Sequence, residues 1–236
     1  MKILYIFPHP DDESFGPASA MSKQRREGHE VYLLTLTKGG ATKQRHKFNY
    51  SIGEMGEVRY KEMLDVARVL DLSGMTVLDL PDSQLKKMDP RDIEKVIEKE
   101  IERIKPDVVV TYAVHGISGF HDHLVSHAVV KRVYVAMKEK NPYLKRLAFF
   151  TITEEAAAKQ KHFHLSGTKD EEIACVYEVD EIDIENTRKA LDCYVTFKET
   201  IEATDIKNQI HNSSQFEIYM EEHDEKLKDL FEKLPS

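Results

Sequence analysis

The chain has 236 residues, 41 % hydrophobic and 32 % charged, with a formal net charge of −8. That length and balance describe a globular protein with room for one sizeable core, and the acid excess argues against nucleic acid or an anionic membrane as partner. Two cysteines, Cys175 and Cys193, suit neither a disulfide framework nor a thiolate metal site. No apolar run reaches membrane-spanning length and the opening seven residues are too short for a signal peptide, so a cytoplasmic location without membrane insertion is expected.

Lys2–Phe7 is a continuous apolar run, as a parallel strand buried on both faces requires. Phe15 to Arg26 reads as a helix stopped by Gly28, and Val31–Thr37 as a second strand ending at Gly39-Gly40. The polar stretch from Ala41 to Gly53 reads as a loop; the basic run Lys38, Lys43, Arg45 and Lys47 fits a solvated surface. Glu57–Leu70 has helical spacing and Thr76–Leu80 strand character. Asp89-Pro90 is an N-cap and first-turn pair for a helix carrying Ile93, Val96, Ile97, Ile101 and Ile104, which Pro106 ends. Asp107–Ala113 is a strand, Asp122–Lys138 a helix with Val125, Ala128, Val129, Val133 and Ala136 inward, and Arg146–Ile152 a fifth strand.

Strand and helix alternate through residue 152. The pattern predicts an α/β fold: a Rossmann-like, doubly wound, mostly parallel sheet with helices on both faces. Beyond residue 152 the expected elements are a polar segment Glu154–Asp170, a strand Ile173–Val179, a helix Ile184–Ala203, and a last amphipathic helix bearing Phe216, Met220, Leu227, Leu230, Phe231 and Leu234. One domain over 1–236 is expected, with a core of 1–152 and a C-terminal β/α elaboration over 153–236.

The chemistry concentrates in Pro8-His9-Pro10-Asp11-Asp12-Glu13, right after the first strand. A dinucleotide site would need Gly-x-Gly-x-x-Gly there, and two adjacent carboxylates repel phosphate. A metal site uses the same residues well. His9 and Asp12, three apart across a proline-stiffened loop, can converge on one ion, leaving Asp11 free beside it. A catalytic ion needs a further ligand, and the histidine-rich His115–His123 stretch follows another strand end. Within it His123 sits in the first turn of the next helix, while His127, on the stripe of Lys131, is expected to face solvent.

Pro8-His9-Pro10-Asp11-Asp12-Glu13, together with Gly116-Ile117-Ser118-Gly119-Phe120-His121-Asp122-His123, resembles the PIG-L/LmbE-like zinc de-N-acetylases, whose signatures are His-Pro-Asp-Asp-Glu and, downstream, Gly-His-Pro-Asp-His. The first signature matches in full. The resemblance implies His9, Asp12 and His123 as zinc ligands, with other divalent metals tolerated, and Asp11 as general base. It implies Arg59 and Glu62 as the family's Arg-x-x-Glu near the sugar. The second signature departs: its first histidine, tied to the oxyanion, falls on Phe120 and its proline on His121. His121 is the expected catalytic stand-in, with His115 or the metal alone as alternatives. A later family histidine has two counterparts, Tyr194 and His211, both carried as substrate-binding candidates.

The implied activity is removal of an acetyl group from an N-acetylglucosamine-type amino sugar or its conjugate, Asp11 taking a proton from the attacking water. The alternatives are a metal amidase on a non-sugar N-acyl substrate, or a non-catalytic sugar- or nucleotide-binding module. A small-molecule amino sugar is the expected partner; a homo-oligomer is left open.

Overall fold

The computed structural model describes residues 1–235 as a seven-stranded sheet of order β3-β2-β1-β4-β5-β7-β6. The strands are β1 (Lys2–Phe7), β2 (Glu30–Thr37), β3 (Gly74–Leu80), β4 (Val108–Tyr112), β5 (Arg146–Thr151), β6 (Cys175–Glu178) and β7 (Ser213–Ile218). The first five are mutually parallel; β7 runs antiparallel between β5 and β6.

β1 shows why its sequence is apolar throughout. Alternate side chains point to opposite faces, so Ile3, Tyr5 and Phe7 enter one core while Leu4 and Ile6 enter the other. The first core is closed by α2 (Ala18–Arg26), α3 (Ile52–Val69) and α7 (Glu181–Cys193); the second by α4 (Pro90–Ile104) and α5 (His121–Lys138). Asp89 caps α4 with Pro90 at its first position, as expected, whereas α3 starts five residues before the expected Glu57 because Ser51 forms a capping box with Glu54. From β1 the chain winds outward through β2 and β3, then crosses to β4 on the other side. The carboxyl ends of β1 and β4 therefore flank the switch point, where open α/β sheets place their sites.

Three expectations are corrected. The stretch bearing Phe216 is a strand, not a helix: Ser214, Phe216 and Ile218 are buried at period two, and Phe216 pairs with both Phe150 and Cys175. The remaining C-terminal segment is irregular, held by Arg146, which is fully buried and donates to Glu221 Oε2 at 2.6 Å and to the carbonyls of Leu230 at 2.6 Å and Glu232 at 3.0 Å. The predicted helix over 184–203 breaks at Tyr194 into α7 and α8 (Lys198–Thr204), because Glu62 of α3 captures the Thr196 N–H and hydroxyl, each at 2.8 Å. His127 is buried, not solvent-facing: it lies one helical turn after His123 on the same face, and its Nδ1–H donates to the Tyr112 carbonyl at 2.9 Å.

Candidate metal centre and cleft

After Phe7 the chain leaves the sheet through Pro8, whose carbonyl accepts from Thr37 N–H and hydroxyl at 3.0 and 2.9 Å. Asp11 then adopts a left-handed backbone, φ +82°, before α1 (Asp12–Phe15) begins. Aspartate tolerates that conformation better than most residues, but it still has to be held. Tyr194, fully buried, accepts from the Asp11 N–H at 2.8 Å and donates to Glu13 at 2.6 Å. Arg59, 3 % exposed, donates to the Pro10 carbonyl at 2.7 Å, the Gly39 carbonyl at 3.1 Å and Asp11 Oδ2 at 2.5 Å, with Phe197 stacked 4.3 Å from its guanidinium. Gly39 has φ +64°, and a Cβ there would overlap Arg59 Nη1 and Pro10 Cδ, so the clamp requires glycine.

The loop and α5 bring His9, Asp12 and His123 together, with one donor atom from each within 4.8 Å of the others. Asp12 Oδ2 is 3.6 Å from His9 Nδ1, and Asp12 Oδ1 is 3.3 Å from His123 Nε2. Ligand atoms about 2.1 Å from one tetrahedral ion stand roughly 3.4 Å apart, a spacing close to that of these two pairs. The tautomers fit as well. His9 Nε2 faces Asp122 and Asp82, each at 3.3 Å, and His123 Nδ1–H donates to the Gly116 carbonyl at 2.9 Å. Each ring is thereby oriented with its other nitrogen toward Asp12, the arrangement metal-binding histidines use. Asp122 and Asp82 are themselves occupied: Asp122 accepts the Ser83 and Leu85 N–H groups at 2.8 and 3.2 Å, and Asp82 the Ala41 N–H at 2.6 Å. With His9 they form a second group whose donor atoms lie within 4.8 Å of one another.

Burial lifts the Asp11 carboxyl to about 6; the Arg59 charge opposes that shift, and Asp12 adds to it. Burial likewise lifts Glu13 to about 7, against its bonds from Tyr194 and Ser14. Two carboxyls are thus lifted toward neutrality beside Asp12. Burial also works on Asp12, but attraction to His123 and His9 outweighs it and holds that carboxyl low.

The other sequence candidates divide. Arg59 reaches Asp11 rather than open solvent, and Glu62 is spent on Thr196. Tyr194 lies behind Asp11, inside the protein. His211 lines the cleft, exposed at its outer part. His121 is not brought to the centre: it is exposed, with Nδ1 3.3 Å from Lys86 Nζ. Successive helical residues turn by roughly 100°, so His121 and His123 face nearly opposite ways. Phe120, 58 % exposed, sets its ring edge-on to His123. The sequence reading missed Asp82, just past the carboxyl end of β3, and Tyr112. The Tyr112 ring lies flat on His123 at 4.4 Å and its hydroxyl donates to Asp12 Oδ1 at 2.8 Å.

The centre opens into a cleft of about 730 Å³ that runs from Asp11, Asp12 and His123 past Phe15 and Phe150. The family described as GlcNAc-PI de-N-acetylase (PIG-L) matches residues 4–134, which contain both motifs and His9, Asp12 and His123. The chain belongs to the PIG-L family. Among PIG-L relatives, the probable N-acetyl-α-D-glucosaminyl L-malate deacetylase 2 of Bacillus subtilis (strain 168) is 29 % identical over 142 residues, 59 % of this chain and 64 % of that protein. The match thus spans less than two thirds of the relative's length. In three dimensions a deacetylase of teicoplanin biosynthesis aligns over 95 % of this chain and 100 % of its own, with TM-score 0.72 and 14 % identity. The 4-carboxy-2-hydroxymuconate hydratase of Pseudomonas putida KT2440 aligns over 96 % and 99 %, with TM-score 0.68 and 11 % identity. These likenesses establish the fold, and the hydratase shows the fold carrying a different reaction, so the chemistry has to be argued from the site.

Proposed function

We propose that the protein is a zinc-dependent N-deacetylase acting on an N-acetyl amino sugar or its conjugate. The observation that carries this reading is the convergence of His9 Nδ1, Asp12 and His123 Nε2 with the Asp11 carboxylate beside them. His9, Asp12 and His123 would hold the ion, and Asp122, Asp82 and the Gly116 carbonyl keep the imidazoles in the tautomers that this needs. Zinc bound there supplies Lewis acidity to the amide carbonyl and to an attacking water.

The chain's own residues do the proton transfer. Asp11 accepts the water's proton as the carbon–oxygen bond forms, then passes it to the nitrogen as the carbon–nitrogen bond breaks, releasing acetate and a free amine. Its raised carboxyl suits both steps, and Arg59 keeps it ionised for the first. His121 is turned away and the Tyr112 hydroxyl is already given to Asp12 Oδ1, so neither is assigned to the developing oxyanion.

The test is metal analysis of the purified protein alongside acetate release from N-acetylglucosamine conjugates and from non-sugar N-acetyl amines. The reading expects bound zinc, hydrolysis of the sugar series, and loss of both in His9→Ala. Hydrolysis confined to the non-sugar series would make the protein an amidase of another substrate class. No metal and no hydrolysis would make it a binding module.

A further inference from the structure

We infer that His115 is a positioning residue for the candidate ligand His123, acting through the Gly116-Ile117 turn, and that Glu217 on β7 fixes the tautomer this requires. The inference rests on the metal-hydrolase reading and deepens it, by giving a role to a histidine outside the candidate ligand set.

The loop between β4 and α5 brings its own backbone up against His123. Gly116 and Ile117 are both left-handed there, with φ +63° and +57°. Gly116 suits the approach, since a Cβ on it would stand 2.8 Å from His123 Cβ. Ile117 does not suit it: a β-branched residue at positive φ is an outlier that persists only where its surroundings hold it. The hold comes from two sides. The Ile117 N–H donates to His115 Nδ1 at 3.0 Å, and the Ile117 carbonyl accepts from the Ser166 N–H at 2.7 Å. The turn fixed in this way aims the Gly116 carbonyl at His123 Nδ1, 2.9 Å away, and sets Ser118 Oγ 3.2 Å from the same nitrogen. His123 Nε2 is left facing Asp12.

The direction of each bond follows from the amide. A backbone N–H can only donate, so His115 Nδ1 is the acceptor and the ring proton sits on Nε2. Burial holds the imidazole below its ordinary value, so at neutral pH the ring is neutral and has that lone pair to offer. Nε2 stands 3.1 Å from Thr168 Oγ1, with Thr151 Oγ1 farther off at 3.4 Å. The buried Thr168 hydroxyl accepts there and donates in turn to Glu217 Oε1 at 2.7 Å. Donation thus runs one way from Ile117 through His115 and Thr168 to Glu217, and an acceptor at its far end favours that tautomer. Both ring nitrogens are engaged, so His115 is not free for the oxyanion role that the sequence allowed it.

Two measurements test this: zinc affinity by competition with a chromogenic chelator, and nitrogen-15 shifts of the histidine rings in the metal-free protein above the imidazole titration. Partners behind a metal-binding histidine typically control affinity by 10- to 100-fold, so His115→Ala should weaken zinc binding about tenfold. His115→Asn should restore most of it, because the asparagine oxygen accepts from the N–H two residues on. Ile117→Gly in the His115→Ala background should restore it too, since glycine takes positive φ without being held. A histidine that only filled space would be rescued by neither. In the metal-free wild type the ring proton should sit on His115 Nε2 and on His123 Nδ1; the His123 preference should be lost in His115→Ala and regained in His115→Asn, with circular dichroism confirming that each variant is folded. This tautomer pattern in a protein that binds no zinc would keep the inference and end the hydrolase reading. Unchanged zinc affinity in folded His115→Ala, or no rescue by either change, would overturn the inference and leave the hydrolase reading standing. A proton on His115 Nδ1 in the wild type would overturn it whether or not the variants fold.

Discussion

Arg59 is the residue whose replacement tests most about Asp11 as the proposed general base. Its guanidinium nitrogen lies 2.5 Å from Asp11 Oδ2 with almost no solvent between the pair and the core. At an effective dielectric near 20, unit charges that close attract by about 7 kcal/mol before desolvation is subtracted. Arginine neighbours typically realise roughly one to three pH units of that on an aspartate. Burial already lifts Asp11 to about 6, with Arg59 pulling against it. Removing the charge in Arg59→Met therefore moves the carboxyl further up. A base works only when deprotonated, so activity is present above its pKa and lost below it. The acidic limb of kcat/KM should move upward by about one to three pH units. Arg59→Lys, which keeps the charge but not the fork to Pro10 and Gly39, should move it less. The assay is acetate release across pH with metal content and melting temperature recorded for each variant. An acidic limb unchanged in a folded, metal-loaded Arg59→Met protein would refute the reasoning.

Asp11→Asn should lower kcat by about 10²- to 10⁴-fold while metal content, measured by elemental analysis, stays at the wild-type level, because the proposed mechanism makes Asp11 the base and not a ligand. Asp183 is fully buried, accepting from Ser22 at 2.8 Å and from Arg26 at 2.9 and 2.7 Å. Burial penalises its charge, but Arg26 and the Asp180 N–H outweigh that and hold the carboxyl below its ordinary value. A depressed carboxylate stabilises the fold above the unfolded aspartate pKa of about 4, and the contribution is lost as pH falls through the folded value. Arg26 is 38 % exposed, which tempers the pair. Asp183→Asn should cost about 1–3 kcal/mol in urea unfolding at pH 7, and the gap to wild type should close toward pH 3. A gap that is constant with pH would contradict this.

The parallel half of the fold was legible because β1 and β4 are apolar runs buried on both faces, and α4 carries its own start signal in Asp89-Pro90. The residues that meet at the candidate metal centre could be picked out because two short motifs sit at the carboxyl ends of adjacent strands. The C-terminal third was harder for a physical reason. Phe216 and Leu227 through Leu234 imitate a helical stripe when read together, whereas the alternation confined to Ser213–Ile218 marks a strand. The break at Tyr194 has no local cause; it is made by Glu62, far away in sequence. Arg59 looked like a surface hand for a sugar, and only tertiary structure reveals its three acceptors around Asp11. The outward turn of His121 could have been deduced, since residues two apart on a helix point nearly opposite ways.

The central claim is that one ion is held by His9, Asp12 and His123. Anomalous diffraction at the zinc absorption edge from crystals of the metal-loaded protein tests it directly. The account predicts one peak, about 2.0–2.2 Å from His9 Nδ1, an Asp12 carboxylate oxygen and His123 Nε2. A peak on the other side of the His9 ring, between Asp82 and Asp122, would contradict it, as would a metal-loaded protein with no peak at His123.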